Sequence, residues 1–172
     1  MQNFETRLSG GHPNSLGNTV EVVEEVLYQP SLFQELFDCY QSKDEVVRLR
    51  VSNAMKRICK ENKEILIPYI DALIGDIAKI NQASTQWTLA QLFLSLEKDM
   101  SSKQMTQAKK IVKNNLAKHN DWIVLNASMD TLGKWSKKDA KLKHWLEPHL
   151  QRLQNDSRKS VANRAQKLLK QL

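Results

Sequence analysis

Residues 44–58 read DEVVRLRVSNAMKRI, and Val47, Val51, Ala54, Met55 and Ile58 recur at intervals of three and four. That period puts all five on one side of a helix, so the stretch predicts an amphipathic α-helix with one buried stripe. The same register returns in DWIVLNASMDTLGKW, residues 121–135, where Asp121, Val124, Ser128, Leu132 and Trp135 match Asp44, Val47, Val51, Met55 and Ile58. Two more copies, QWTLAQLFLSL (86–96) and SVANRAQKLLKQL (160–172), complete the series. Val51, Ala90, Ser128 and Ala165 then stand 39, 38 and 37 residues apart, and so do Met55, Leu94, Leu132 and Leu169.

A period of this length is the mark of stacked helix pairs. Each copy follows a second apolar-periodic segment, starting at Pro30, Ile65, Gln104 and Lys141, and TVEVVEEVLYQ (19–29) supplies an odd first helix. Only five glycines and four prolines interrupt a chain rich in helix formers. The prediction is an all-α chain of about nine helices, four helix pairs plus a leading N-terminal helix. Residues 1–17 form a lead-in, and 18–172 form a single repeat domain. Isolated pairs cannot bury their apolar faces, so they must stack. Helix starts are expected at the capping boxes Ser42/Glu45 and Ser101/Gln104, and at Asn62, Ser84 and Asp139.

Asp44, Val47, Arg48 and Ala54 spell Asp-x-x-Val-Arg-x-x-x-x-x-Ala ahead of an apolar run, which resembles a HEAT repeat. From about Leu8 onward the chain also resembles uncharacterised bacterial HEAT-repeat proteins, through LSGG, DWIVLNASMDTLGKW and DSRKSVANRAQKLL. The resemblance implies a right-handed α-α superhelix, a HEAT-like solenoid, and little about activity. Asp44 stands four residues before Arg48, where an ion pair is expected. Later copies depart from the motif, with Leu125 in place of the arginine.

The net charge of +7 is unevenly placed: residues 1–100 carry 10 Lys/Arg against 14 Asp/Glu, and residues 101–172 carry 16 against 5. Lys109, Lys110 and Lys113 lie opposite an apolar helix face. Lys134, Lys137, Lys138, Lys141 and Lys143 surround one helix junction. Arg158 and Lys159 begin the last helix, with Arg164, Lys167 and Lys170 further along it. Cations at a helix start oppose its dipole, so Asp156 or a bound anion is expected there. These named cations, Lys167 and Lys170 apart, form a candidate anion- or nucleic-acid-binding set; the competing reading is a solvated surface.

A rival surface lies in the second copy. Leu89, Leu92 and Leu96 align with Arg50, Asn53 and Arg57. If that flank faces outward, it is a groove in which a helix of another protein docks, with Arg50 and Arg57 beside the leucine strip. The alternative is a central helix buried on several sides. The leading expectation is a non-catalytic scaffold that binds another protein through its curved surface, with electrostatic nucleic-acid binding by residues 101–172 as the second.

Catalytic signals are weak. LSGGHPNSLGN (8–18), with Gly11, Gly17 and the following Thr19, comes close to a phosphate-binding loop, but it lacks the lysine, the spacing and a preceding strand. It reads as the way into a helix capped by Asn18 with Glu21, with Leu8 and Leu16 covering the end of the array. His12, His119, His144 and His149 do not cluster, and Cys39 and Cys59 have no ligating neighbour in the sequence, so no metal or other cofactor is expected. HEAT-like alkylpurine DNA glycosylases offer a remote parallel, for which Trp135 and Asp139 are the aromatic and the carboxylate. Trp135 aligns with core Ile58, however, and Asp139 reads as a helix cap. No small-molecule substrate is expected, and the chain is read as no enzyme. MQNFETRLSG lacks the apolar core of a secretion signal, and no run reaches membrane-span length, so a cytoplasmic protein without a membrane partner is expected.

Overall fold

The computed structural model describes residues 3–172, and among them it holds ten α-helices, five short 3-10 turns and no strand. The chain divides into two compact units, one running to Met100 and the other spanning Ser101–Leu172. The boundary coincides with the change in charge sign. No helix among the described residues is long and apolar enough to cross a membrane.

The first unit contains α1 (Phe4–Leu8), α2 (Thr19–Tyr28), α3 (Phe33–Asp38), α4 (Glu45–Glu61), α5 (Ile70–Ile74) and α6 (Ala83–Ser95). Helix α4 is its spine and packs against α1, α2 and α6. The whole predicted stripe of α4, Val47 to Ile58, is buried. The helix is capped two residues after the expected Ser42, by Asp44. Asp44 Oδ1 accepts from the Val46 N–H at 2.8 Å, and Ser42 Oγ accepts from the Asp44 N–H at 3.1 Å. Arg48 does not pair with Asp44; its Nε donates to Gln82 Oε1 at 2.7 Å, and its Nη1 donates to the Ser42 carbonyl.

The segment from Ile65 is not one helix. It breaks into the 3-10 turns Ile67–Tyr69 and Ile77–Lys79 on either side of the five-residue α5. Pro68 lacks an N–H and sits in the first positions of the Ile67–Tyr69 turn, and Gly75 ends α5. The segment from Pro30 is likewise a short α3 between 3-10 turns. Rings hold these fragments together: Tyr69 lies 4.7 Å, centroid to centroid, from both Phe33 and Phe37. Asn62 precedes a 3-10 turn and makes no capping bond, and Ser84 sits inside α6 accepting from Gln82 Nε2.

The lead-in is built into this unit. Arg50, on the core stripe of α4 and only 2% exposed, donates to five main-chain carbonyls of residues 8–15. Its Nη1 reaches Leu8 and Gly10 at 2.7 Å and Ser9 at 3.3 Å, Nε reaches Ser15 at 3.1 Å, and Nη2 reaches His12 at 3.3 Å. The loop therefore presents carbonyl oxygens to a cation, the reverse of a phosphate cradle, which converges N–H groups on an anion. Gly17 closes the turn with φ +52°, a region that L side chains avoid. The expected Asn18 cap does not form; Asn18 Nδ2 donates to the Arg7 carbonyl at 3.2 Å. Leu8 is buried as a cover for the core, whereas Leu16 stays 38% exposed.

The second unit contains α7 (Ser102–Lys118), α8 (Trp122–Ser136), α9 (Ala140–Leu153) and α10 (Lys159–Leu169). The Ser101/Gln104 box is present, Asp121 caps α8 through the Ile123 and Val124 N–H groups, and Asp139 caps α9 through Leu142. Helix α8 packs against α7, α9 and α10, and all of Val124–Met129 is buried. At Gly133 a Cβ would come within 2.9 Å of Leu168 Cδ2, so α8 and α10 approach closely there. Val51, Ala90, Ser128 and Ala165, equivalent in the sequence repeat, are each fully buried in their own unit; Leu94 and Leu169 are half-buried.

Candidate functional site

The leucine strip is not a surface. Leu89, Leu92 and Leu96 are 0%, 1% and 0% exposed, and Ala90 and Phe93 of the same helix are equally buried. Helix α6 is apolar on more than one side, so one aligned flank cannot be assigned to solvent. Arg50 is committed to the lead-in clasp. Arg57 is exposed and donates to Asn53 Oδ1 at 2.7 Å. The predicted groove of Leu89, Leu92, Leu96, Arg50 and Arg57 is therefore not assembled.

The basic surface of the second unit is present. Lys134, Lys137, Lys138, Lys141 and Lys143 are all exposed around the junction of α8 and α9. None of the five pairs with a carboxylate side chain of a described residue; Lys143 Nζ donates to a main-chain oxygen of Leu172. Lys110 and Lys159 are exposed as well.

Other cations of the set are engaged. Lys109 Nζ lies 2.7 Å from Asp139 Oδ2. That hydrogen bond, followed by the Leu142 N–H, holds the Asp139 carboxyl below its ordinary range. Asp139 is thus occupied in capping and pairing, and Trp135 is buried, so the two do not form an open pocket for a damaged base. Lys113 Nζ sits 4.4 Å from the Trp145 ring centroid, and His149 stacks on the same ring at 4.1 Å. Burial, then Arg152 and Lys113, lower the His149 pKa.

At the start of α10, Asp156 does what the sequence leaves to it or to an anion. Its Oδ1 accepts from Arg158 Nε at 2.8 Å and from the Arg158 N–H at 2.9 Å, and its Oδ2 accepts from Nη2 at 2.8 Å. The Arg158 side chain, then its backbone N–H, bring the Asp156 carboxyl down to about 2. Unfolded aspartate titrates near 4, roughly. The stabilisation is therefore complete above about pH 4 and is lost as pH falls toward the folded value. Acid titration of stability should show a drop between about pH 4 and 2 that is smaller in Asp156→Asn. Identical acid profiles would show that the pair contributes nothing.

Arg164 Nη1 pairs with Asp130 Oδ2 beside a cavity of about 210 Å3 between α8 and α10. Lys134, Lys137, Lys167, Gly133 and Leu168 also line it. Lys167 lies outside the binding set assigned from the sequence, where it reads as one more cation on α10. The signal is there: Lys134/Lys137 and Arg164/Lys167 are both i, i+3 pairs, a spacing that puts two charges one helical turn apart.

Reactive groups elsewhere are quenched. Burial, then Glu5, Glu35 and Asp38, push the Cys39 thiol up to about 12, and burial raises the Cys59 thiol. Neither is a ready thiolate nucleophile. Among the described residues no group of three or more His, Cys, Asp or Glu is placed to hold a metal. The chain matches no protein-family model, no curated protein and no solved structure.

Proposed function

We propose that the chain is a non-catalytic binding scaffold, a short right-handed HEAT-like solenoid, whose partner is the phosphate backbone of a nucleic acid held by residues 101–172. The observation that carries this is the group of five exposed lysines at the α8–α9 junction, none paired with a carboxylate side chain of a described residue. The 37–39-residue repeat supports the solenoid. A cytoplasmic location belongs to the same reading and rests on the two free cysteines. Docking of another protein is the leading expectation from the sequence. It loses its named anchors with the burial of the leucine strip, and an acidic protein surface is the form of it that the lysines still suit.

Affinity for labelled single-stranded and duplex oligonucleotides, measured over a salt series, tests the proposal. Log affinity should fall linearly with log salt, with a slope of roughly −0.9 per phosphate neutralised on duplex. Lys138→Glu and Lys141→Glu should each weaken binding across sequences and reduce the slope by about 1. Absence of binding at low salt overturns the nucleic-acid reading. Binding to acidic polypeptides alone assigns the surface to a protein.

A further inference from the structure

The cavity between α8 and α10 is more specific than the field around it. Two cation pairs three residues apart, Lys134/Lys137 at the C-terminal end of α8 and Arg164/Lys167 on α10, line one space of about 210 Å3. Asp130, the one carboxylate side chain among the described lining residues, engages Nη1 of Arg164 and fixes that guanidinium at the wall. A guanidinium carries five donors, so others remain for a ligand. Lys134, Lys137 and Lys167 have no carboxylate partner among the described residues. The volume is many times what one water molecule needs, and Gly133 and Leu168 add apolar surface to the charged lining.

We infer that this cavity is a seat for linked phosphate groups, with Lys134/Lys137 and Arg164/Lys167 gripping them from opposite walls. Ammonium and guanidinium donors match phosphate oxygens, and two pairs one turn apart suit a chain of phosphates better than a lone carboxylate. The phosphates come either from a nucleic-acid backbone or from a free oligophosphate. The first source rests on the function proposed above, and the second does not.

The experiment compares wild type, Lys137→Glu/Lys167→Glu, and the control pair Lys103→Glu/Lys118→Glu, which makes the same charge change on exposed lysines outside the cavity. Lys137→Gln/Lys167→Gln serves if charge reversal disturbs folding. The probes are a short labelled oligonucleotide and tripolyphosphate, read by anisotropy, competition and thermal shift. The expected result is a loss of oligonucleotide affinity about tenfold larger for the cavity pair than for the control. Tripolyphosphate should also displace the oligonucleotide and raise the melting temperature of wild type but not of the cavity pair. Tripolyphosphate stabilisation that needs the cavity, without oligonucleotide binding, upholds the seat and removes the nucleic-acid reading. Equal losses in both pairs with no tripolyphosphate stabilisation overturn the seat and leave that reading standing. No response to either probe overturns both.

Discussion

Arg50→Met should destabilise the first unit by about 3–5 kcal/mol and free residues 9–18 to proteases. Methionine keeps much of the volume and none of the donors. Five carbonyls, those of Leu8, Ser9, Gly10, His12 and Ser15, lose their partner together. Hydrogen bonds to a charged donor contribute roughly 1.5–3 kcal/mol each. Their simple sum overstates the loss, because a released loop turns its carbonyls to water. What remains is the cost of leaving Leu8 and the top of α4 less well covered. Arg50→Lys should fall between the two, since an ammonium has three donors and no planar fork.

Gly17→Ala probes the same clasp from the other side. A Cβ there would sit 2.9 Å from Arg50 Cζ, on a residue with φ +52°. The expected cost is about 1–3 kcal/mol. In the Arg50→Met background the steric part disappears, so the two losses should add to less than their sum. Urea unfolding and limited proteolysis read both effects. Wild-type stability and wild-type cleavage of Arg50→Met would show that the clasp is ornamental.

These contacts also mark how far the sequence could be read. Periodicity found α4, α6, α7, α8, α9 and α10, because those helices bury continuous stripes. Ser101/Gln104 and Asp139 were readable because a cap is a local event. The segments from Pro30 and Ile65 kept the apolar period but not the helix. There Pro68 and Gly75 override the pattern, and packing among Phe33, Phe37 and Tyr69 holds short turns together. Arg50 carried a signal that alignment hid. It stands three residues after Val47 and four before Ala54, on the core stripe itself, where a charge must find acceptors. Those acceptors lie 35–42 residues away, at the end of α1 and in the irregular loop after it, so no local pattern names them. The cations at the α8–α9 junction were legible as composition, whereas the cavity needs α10 brought against α8.

Leu92→Asp should leave little folded protein. Truncating a buried leucine to alanine already costs about 2–5 kcal/mol. An aspartate at a side chain 1% exposed adds a carboxylate that must be desolvated or protonated. Whole domains are stable by only about 5–15 kcal/mol, so the combined loss takes much of that margin. Leu92→Met, nearly equal in volume, should cost less than about 1.5 kcal/mol. Lys138→Glu, on the surface, should stay within about 0.5 kcal/mol of wild type. Soluble yield and circular-dichroism melting order the three variants. This order also separates the two readings of the leucine strip. A docking strip in water would tolerate Leu92→Asp with wild-type melting and lose only partner capture. A core strip loses the fold first, and loss of binding by an unfolded chain says nothing about a groove. A well-folded Leu92→Asp protein would return Leu89, Leu92 and Leu96 to the surface and restore the protein-docking reading that their burial removes.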